Sequence, residues 1–227
     1  MKRKPFIIAI DGPAGAGKST TARLVAKKLG FIYVDTGALY RALTLKVLRK
    51  GIPLHEDAAI ERMAADTRLD LQINDGHQMV LLDEENVTGE IRSTEVTNNI
   101  GPISSISRVR ELLVQRQRQI VEDSSAPGVV MEGRDIGTVV FPHAEVKIFM
   151  LASIEERTKR RHKELRQRGV QSNFSTLRED ILRRDQQDTN RAAGALRKAE
   201  DAIALDTTRL NIEEQVDFIV EQVRRRR

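Results

Sequence analysis

Gly12-Pro13-Ala14-Gly15-Ala16-Gly17-Lys18-Ser19 fits the pattern G-x-x-x-x-G-K-[ST] of a phosphate-binding loop, or P-loop. The run Phe6–Asp11 before it is short, apolar and β-branched, which predicts a buried strand. Residues 20–29 after it carry apolar side chains at helical spacing, and Gly30 is a typical helix stop. A strand before the loop and a helix after it are the context in which a P-loop occurs, and they argue against a chance Gly-rich turn.

The residue types of this loop follow from what phosphate binding demands. Successive backbone N–H groups must point at phosphate oxygens, and a Cβ at the glycine positions would block that approach. The positive end of the following helix dipole favours the same anion. Lys18 can place a charge on the outer phosphates, and the Ser19 hydroxyl is the expected Mg²⁺ ligand because Mg²⁺ prefers hard oxygen ligands.

The composition predicts a globular chain that is soluble. At 227 residues it is long for one domain and short for two. Aromatic residues are only 4% of the chain, so few side chains are available to bind single-stranded nucleic acid by stacking on its bases. The sequence contains no cysteine, which excludes disulfides and thiolate chemistry. The start of the chain does not read as a signal segment and no apolar run has the length of a membrane span, so we expect a cytoplasmic protein.

The net charge of +5 has two interpretations, a nucleic-acid-binding patch or a cleft for a polyanionic small molecule. The basic residues recur at separate places beside acidic and Gly-rich motifs, which favours the cleft. The exception is the tail Arg224–Arg227, which we interpret as a solvated terminus.

A second motif is Asp35-Thr36-Gly37-Ala38-Leu39-Tyr40-Arg41, where a predicted strand over 31–35 turns into a helix starting near Ala38. Thr36 offers a hydroxyl at the helix start, and Arg41 lies within reach of an anion docked there. An ordinary strand–turn–helix with a solvated arginine is equally compatible with this motif alone.

The middle of the chain changes period. A helix is predicted over 56–67, followed by strands at Leu69–Ile73 and Met79–Leu82 separated by the turn Asn74–Gly76, and by a third short strand at Val87–Ile91. We interpret this as a small antiparallel insertion in an alternating β/α chain, mobile enough to close on a substrate. An amphipathic helix over 108–122 follows, with Arg108, Arg110, Arg116 and Arg118 on its outer faces, most of them solvated.

A third motif, Glu132-Gly133-Arg134-Asp135-Ile136-Gly137-Thr138, follows the predicted strand Val129–Met131. Acids and an arginine at the carboxyl end of a strand are placed where α/β sheets bind ligands. A further strand is predicted at Val146–Leu151 and the last one at Ala202–Asp206, before a helix capped by Asn211.

Two basic helical segments separate those strands, one over 155–168 and one starting at Asn173 or Ser175. Arg184, Asp188 and Arg191 are spaced four and three residues apart and share one helix face. They form either a self-paired surface ladder or a lid that brings guanidinium groups to phosphates while Asp188 accepts from sugar hydroxyls.

Taken together, the motifs resemble those of the nucleoside monophosphate kinases, and most closely the bacterial cytidylate kinase family. The matching segments cover nearly the whole chain in the same order and are Ile10–Lys18, Asp35–Arg41, Gly89–Arg92, Glu132–Pro142, Val146–Phe149 and Arg183–Arg191. The resemblance implies an α/β P-loop fold with a five-stranded parallel sheet in the order 2-3-1-4-5 and helices on both faces. It further implies one kinase domain over 1–227, with a core at about 1–60, 100–152 and 192–227, a nucleotide-monophosphate-binding insertion at about 61–99 and a basic lid at about 153–191.

The resemblance also implies that CMP or dCMP receives the γ-phosphoryl group of ATP, with Mg²⁺. ATP would be bound by Gly12, Pro13, Ala14, Gly15, Ala16, Gly17, Lys18, Ser19, Thr20 and Arg157, and the metal ion by Ser19. The residues implied in catalysis are Lys18, Arg134, Arg160, Arg161 and Arg191. The acceptor phosphate would be bound by Thr36, Tyr40, Arg41, Arg134 and Arg191, the cytosine by Arg110 and Asp135, and the sugar by Arg184 and Asp188. A monomer that binds neither nucleic acid nor a membrane is expected.

Two positions depart from that family pattern. Thr36 stands where the family often has Ser, and the hydroxyl is kept. Gly101 stands where a base-contacting Ser is common, so this contact is absent or comes from Ser104 or Ser105.

Three alternatives remain open from the residues. A kinase for UMP, another monophosphate or shikimate would share the loop but not the cytosine-side residues. A GTPase-type switch would need a guanine-reading N-K-x-D sequence, which the chain lacks. A nucleic-acid-binding module would leave the P-loop and the ordered Arg and Asp motifs unexplained.

Overall fold

A computed structural model describes residues 4–74, 77–167 and 169–226. Part of the predicted turn at Asn74–Gly76 lies outside the described residues, namely Asp75 and Gly76, and so does Arg227 of the arginine tail. The strands are β1 Phe6–Asp11, β2 Ile32–Asp35, β3 Leu69–Asn74, β4 His77–Leu82, β5 Glu85–Asn86, β6 Gly128–Gly133, β7 Val146–Leu151 and β8 Ile203–Asp206. The α-helices are α1 Lys18–Leu29, α2 Gly37–Arg49, α3 Asp57–Ala65, α4 Thr94–Ser105, α5 Ser107–Asp123, α6 Ile154–Gln167, α7 Phe174–Asn190 and α8 Ile212–Arg224.

The main sheet is parallel, with strand order β2-β6-β1-β7-β8. Counting only its five strands in chain order, this is 2-3-1-4-5, so the predicted fold class is confirmed. Pairing register aligns the carboxyl ends: Asp11 faces Gly133, and Glu132 faces Asp35. The loops that follow β1, β2 and β6 therefore open on the same edge of the sheet, where the P-loop and the other two strand-end motifs meet.

Each face of the sheet packs on its own hydrophobic core, because side chains alternate along a strand. In β1, Ile7 and Ala9 face a core shared with α2 to α5, whereas Ile8 and Ile10 face a second core shared with α1 and α8. Burial of β1 on both faces explains its continuous apolar sequence and fixes the strand that leads into the P-loop.

The insertion is a three-stranded antiparallel sheet in the order β3-β4-β5. The predicted third strand at Val87–Ile91 is wrong. The chain reverses at Asp83 and Glu84, both with positive φ, so the short strand lies at Glu85–Asn86 instead. Val87 and Ile91 are apolar because they are buried in the core beneath the insertion, and residues 90–92 form a 3₁₀ turn.

Helix α4 is not predicted by the sequence pattern. It contains Gly101 and Pro102, both poor helix formers, and its helical state depends on packing of Val96, Ile100 and Ile103 into the core. Downstream, α6 and α7 pack against each other as a helical hairpin, and the Asn173 side chain caps the start of α7. Within the described part of the chain, no helix combines the length and apolar character needed to span a membrane.

A substitution in the core beneath α2 tests how strongly packing holds this frame. Leu43 is 1% exposed, and Leu43→Ala is expected to lower the free energy of unfolding by about 2–5 kcal/mol through lost burial and a residual cavity. Leu24→Ala is the matched control, because Leu24 is 40% exposed and its truncation should change stability by no more than about 0.5 kcal/mol. Urea unfolding of both variants measures the difference, and equal losses would contradict the described packing.

Candidate active site

The P-loop has the backbone shape that its glycines predict. Gly12, Gly15 and Gly17 have φ of 149°, 79° and 94°, in the left-handed region that other residues rarely adopt. A Cβ on Gly12 would overlap the carbonyl oxygen of Met150 in β7, so the loop lies tight against the sheet. Helix α1 begins directly after Gly17, which leaves its N-terminal N–H groups facing the loop.

Lys18 is buried, and its Nζ donates to the Pro13 carbonyl at 2.8 Å across the loop. Burial, and then the like charge of Arg134, lower the pKa of Lys18 to about 7. Arg184 acts on Lys18 in the same direction. An anionic ligand bound next to Lys18 would stabilise the charged form of this side chain.

Glu132 and Tyr33 lie beneath the loop and were not assigned a role from the sequence. The Tyr33 hydroxyl donates to Glu132 at 2.5 Å, and burial followed by the charge of Asp35 raises the pKa of Glu132. Lys18 and Ser19 both interact with this carboxyl group. Tyr33 lies in β2 and Glu132 lies near the end of β6, so their proximity follows only from the pairing of these two strands.

The oxygen atoms near Ser19 fit a hard divalent cation. Ser19 is exposed at the start of α1, and the Glu132 carboxylate lies beside it. No group of three His, Cys, Asp or Glu side chains suited to a metal ion occurs among the described residues. Mg²⁺ is commonly held by one or two protein oxygens together with substrate phosphates, which is the arrangement these residues allow.

Arg157, Arg160 and Arg161 of α6 make different contacts. Arg157 donates to the Ala14 carbonyl at 3.2 Å and pairs with Asp185 of α7 at 2.7 Å. Arg160 donates to the Ala16 carbonyl at 3.3 Å and to the Thr207 carbonyl at 2.6 Å, and Arg161 pairs with Glu164. Arg157 and Arg160 thus bind carbonyl oxygens of the P-loop backbone.

Asp35, Thr36 and Arg41 form a second group where β2 ends. The Thr36 hydroxyl donates to the Glu132 carbonyl at 2.8 Å, and Asp35 pairs with Arg41 at 2.6 Å. Arg92 reaches the same Asp35 oxygen at 3.5 Å. The Nε of Arg41 is buried without a hydrogen-bond partner within the described ranges, so this guanidinium retains a donor for a ligand.

Arg134, Asp188 and Arg191 meet between the sheet and the end of α7. Asp188 pairs with Arg134 at 2.6 Å and with Arg191, so the residues are not merely a self-paired ladder on one helix. Burial raises the pKa of Asp188, but the charges of Arg134 and then Arg191 outweigh it and lower the pKa to about 2. Burial and the charges of Arg134 and Arg41 lower the pKa of Arg184 to about 10.

These interactions define one cationic pocket, in which Lys18 is buried and the arginines are partly buried. Its members influence one another's pKa values and are Lys18, Arg41, Arg134, Arg161, Arg184 and Arg191. They come from the P-loop, α2, the loop after β6 and the α6–α7 hairpin, so the predicted donor-side and acceptor-side residues converge.

Arg110 and Asp135 form a buried ion pair next to this pocket, where the charge of Arg110 acts on Arg191. The expectation that the α5 arginines are mostly solvated is wrong for Arg110, which is 4% exposed, lies over the Tyr40 ring and donates to the Ser104 carbonyl. Gly194 was missed from the sequence: its φ is +61°, and a Cβ there would overlap the Arg110 guanidinium.

At the Gly101 position, the hydroxyls of Ser104 and Ser105 both donate to the Gly101 carbonyl, at 3.0 and 2.8 Å. The space that a larger side chain would occupy is instead approached by Gln187 of α7, whose Oε1 lies 2.9 Å from the position of a Cβ built on Gly101.

A P-loop at the carboxyl edge of a 2-3-1-4-5 sheet, facing a pocket of cations and a basic helical hairpin, defines a kinase of the P-loop class. Comparison with known proteins makes the assignment narrower. Residues 8–225 match the family model described as cytidylate kinase, and the chain belongs to that family.

Individual relatives agree with the family model over nearly full length. The chain is 51% identical to a cytidylate kinase of Anoxybacillus flavithermus over 217 residues, covering 96% of this chain and 95% of that protein. It is 50% identical to a cytidylate kinase of Geobacillus sp. strain WCH70 over 224 residues, covering 99% of both. A solved gluconokinase from Sinorhizobium meliloti shares the fold alone, with 14% identity, a TM-score of 0.51 and coverage of 98% and 94%.

Gly194 offers a test of whether Arg110 must hold its position. Gly194→Ala should push the guanidinium away from Asp135 and weaken binding of a cytidine nucleotide about tenfold or more, while ATP binding is unchanged. Gly51→Ala is a matched control, because Gly51 has a nearly equal φ of +62° and its Cβ would meet open space. Titration calorimetry with CMP and ATP separates the two effects. Equal loss of CMP affinity in both variants would contradict a specific role of Gly194.

Proposed function

We propose that this protein transfers the γ-phosphoryl group of ATP to CMP or dCMP, giving ADP and CDP or dCDP, in pyrimidine nucleotide metabolism. The observation that carries the proposal is the cationic pocket itself, in which burial and like charges lower the pKa of Lys18 to about 7 and that of Arg184 to about 10. Such a pocket is built for several phosphate groups at once, because their charges relieve the repulsion between its members.

On the donor side, the P-loop backbone and Lys18 bind the β- and γ-phosphates. Residues 12–20 supply the cradle, and Arg157 and Arg160 hold it by donating to the Ala14 and Ala16 carbonyls. Arg160 and Arg161 turn to the donor phosphates when α6 and α7 close over them. When bound at Ser19, Mg²⁺ supplies Lewis-acid neutralisation of the developing charge.

On the acceptor side, Arg41, Arg134 and Arg191 bind the monophosphate, with the Thr36 and Tyr40 hydroxyls beside them. Each of these arginines is already paired with a carboxylate, which fixes its direction before the ligand arrives. Arg184 and Asp188 contact the sugar, where the carboxylate accepts from hydroxyl groups.

Arg110 and Asp135 read the cytosine. Its exocyclic amino group is a donor that a carboxylate accepts, and its ring carbonyl is an acceptor for a guanidinium. Uracil presents an acceptor where cytosine presents the amino group, so the same carboxylate opposes it.

The chemistry then needs positioning rather than a protein nucleophile. A phosphate oxygen of the acceptor bonds to the γ-phosphorus of ATP as the bond from that phosphorus to the bridging oxygen breaks, and ADP leaves. Cations on both sides hold the reacting atoms in line and offset the charge that spreads over the transferred group. Closure of the lid keeps water away from the γ-phosphate.

The proposal divides the chain into three parts: a core at about 1–60, 100–152 and 192–227, an insertion that binds the monophosphate at about 61–99, and a lid at about 153–191. The proposal includes a cytoplasmic monomer that binds neither nucleic acid nor a membrane. A kinase for UMP is the second candidate, and the Gly101 position is the specific observation that favours testing it.

Acceptor choice is the direct test of the proposal. Coupled ADP-release assays with CMP, dCMP, UMP, AMP, GMP and shikimate should show turnover confined mainly to CMP and dCMP, and Lys18→Ala should abolish it. Asp135→Asn should lower the ratio of kcat/KM for CMP to that for UMP by about tenfold, since the amide no longer favours the cytosine amino group. An unchanged ratio would remove Asp135 from base recognition, and turnover led by UMP or AMP would replace the acceptor.

The depressed pKa of Lys18 predicts proton uptake on ATP binding. At pH 8 most of Lys18 is neutral in the free protein, given its pKa of about 7, and bound phosphates should raise that pKa well above 8. Calorimetry in two buffers of different ionisation enthalpy should therefore give close to one proton taken up per ATP. In Lys18→Met this uptake should vanish. ATP binding by the unsubstituted protein without uptake would contradict the described environment of Lys18.

A further inference from the structure

Gln78 of β4 connects the insertion to the acceptor side of the site. The Asp35 backbone N–H donates to Gln78 Oε1 at 2.7 Å, and Gln78 Nε2 donates to the Asp35 carbonyl at 3.2 Å. Strand β2 is the edge of the main sheet and pairs with β6 on its inner side. The Gln78 amide therefore makes, at Asp35, the backbone hydrogen bonds that a neighbouring strand would otherwise make.

Asp35 is the residue through which this contact reaches the pocket. Its carboxylate pairs with Arg41 at 2.6 Å and with Arg92 at 3.5 Å, and it is 9% exposed. Arg41 is in α2, and Arg92 is in the 3₁₀ turn that follows the insertion. The backbone of Asp35 is thus held by the insertion while its side chain directs two arginines.

Docking of the insertion does not itself require Gln78. Leu71, Val80 and Leu82 are buried in the large core beneath α2 to α5, and Arg116 of α5 donates to the Leu69 carbonyl at 2.8 Å and pairs with Asp70. These contacts anchor β3 and β4 and involve neither Gln78 nor Asp35. Removal of the amide should leave the insertion in place while freeing the end of β2.

We propose that Gln78 is a positioning residue for the acceptor phosphate: by clamping the Asp35 backbone, it sets the direction in which Asp35 holds Arg41 and Arg92. This inference rests on the proposed function, because it assigns the monophosphate to that end of the pocket. It predicts that the acceptor, and not ATP, depends on Gln78.

The test compares Gln78→Met, which keeps the side-chain length and removes the amide, with Gln72→Met in the neighbouring strand β3. Gln72 is exposed and serves as the control. Gln78→Met should raise KM for the best acceptor about tenfold, with kcat and KM for ATP within about twofold of the unsubstituted enzyme. Gln72→Met should leave all three constants unchanged.

A second measurement reads the clamp without turnover. In the ligand-free protein, hydrogen–deuterium exchange across residues 32–41 should be faster in Gln78→Met than in the unsubstituted protein, and unchanged in Gln72→Met. If the unsubstituted enzyme prefers UMP, the proposed function fails while the acceptor KM still tests Gln78. Unchanged acceptor KM together with unchanged exchange would overturn the role of Gln78, and so would equal increases in KM for the acceptor and for ATP.

Discussion

Burial of like charges at one edge of the parallel sheet is the constraint on which the site depends. Arg134 and Arg184 lie close enough to Lys18 to lower its pKa, and Arg134 also lowers the pKa of Arg184, in a place where water cannot fully solvate these groups. Such an arrangement costs free energy in the ligand-free protein, and the hydrophobic cores on both faces of the sheet must hold it together. In the proposed function, polyphosphate ligands supply the missing negative charge, and the preorganised cations stabilise them without further reorganisation.

Carboxylates pair with the individual arginines of this site and fix the orientation of each guanidinium. Asp35 pairs with Arg41, Asp188 with Arg134 and Arg191, and Asp135 with Arg110. All of these pairs except Asp188–Arg191 join different elements of the chain. A guanidinium that is already oriented loses little entropy when it binds a phosphate oxygen. The Arg134–Asp188 pair connects the helical hairpin to the core, and the Arg92–Asp35 pair connects the turn after the insertion to the end of β2.

The sequence predicted the frame better than the contacts within it. The P-loop and most helices followed from apolar periodicity and glycines, because those signals are local, whereas the strand order followed from the resemblance to a known family. Helix α4 was missed since Gly101 and Pro102 oppose helix formation and tertiary packing overrides them. The apolar residues of Val87–Ile91 predicted a strand, but Val87 and Ile91 are apolar because they are buried in the core. Tyr33, Gln78 and Gly194 could not be found, because their roles depend on neighbours 99, 43 and 84 residues away. Roles of individual arginines in catalysis stay predictions.

The claim that one pocket binds both nucleotides through its shared cations is tested most directly by a bisubstrate ligand. We would titrate the protein with cytidine joined to adenosine through five phosphates, at low and physiological salt, by calorimetry. One ligand per chain should bind, far more tightly than CMP or ATP alone and with affinity that falls as salt rises, because its phosphates span the pocket from the P-loop to Arg41. Affinity no better than that of ATP would show that the acceptor phosphate binds elsewhere, and would contradict the central role of the cationic pocket.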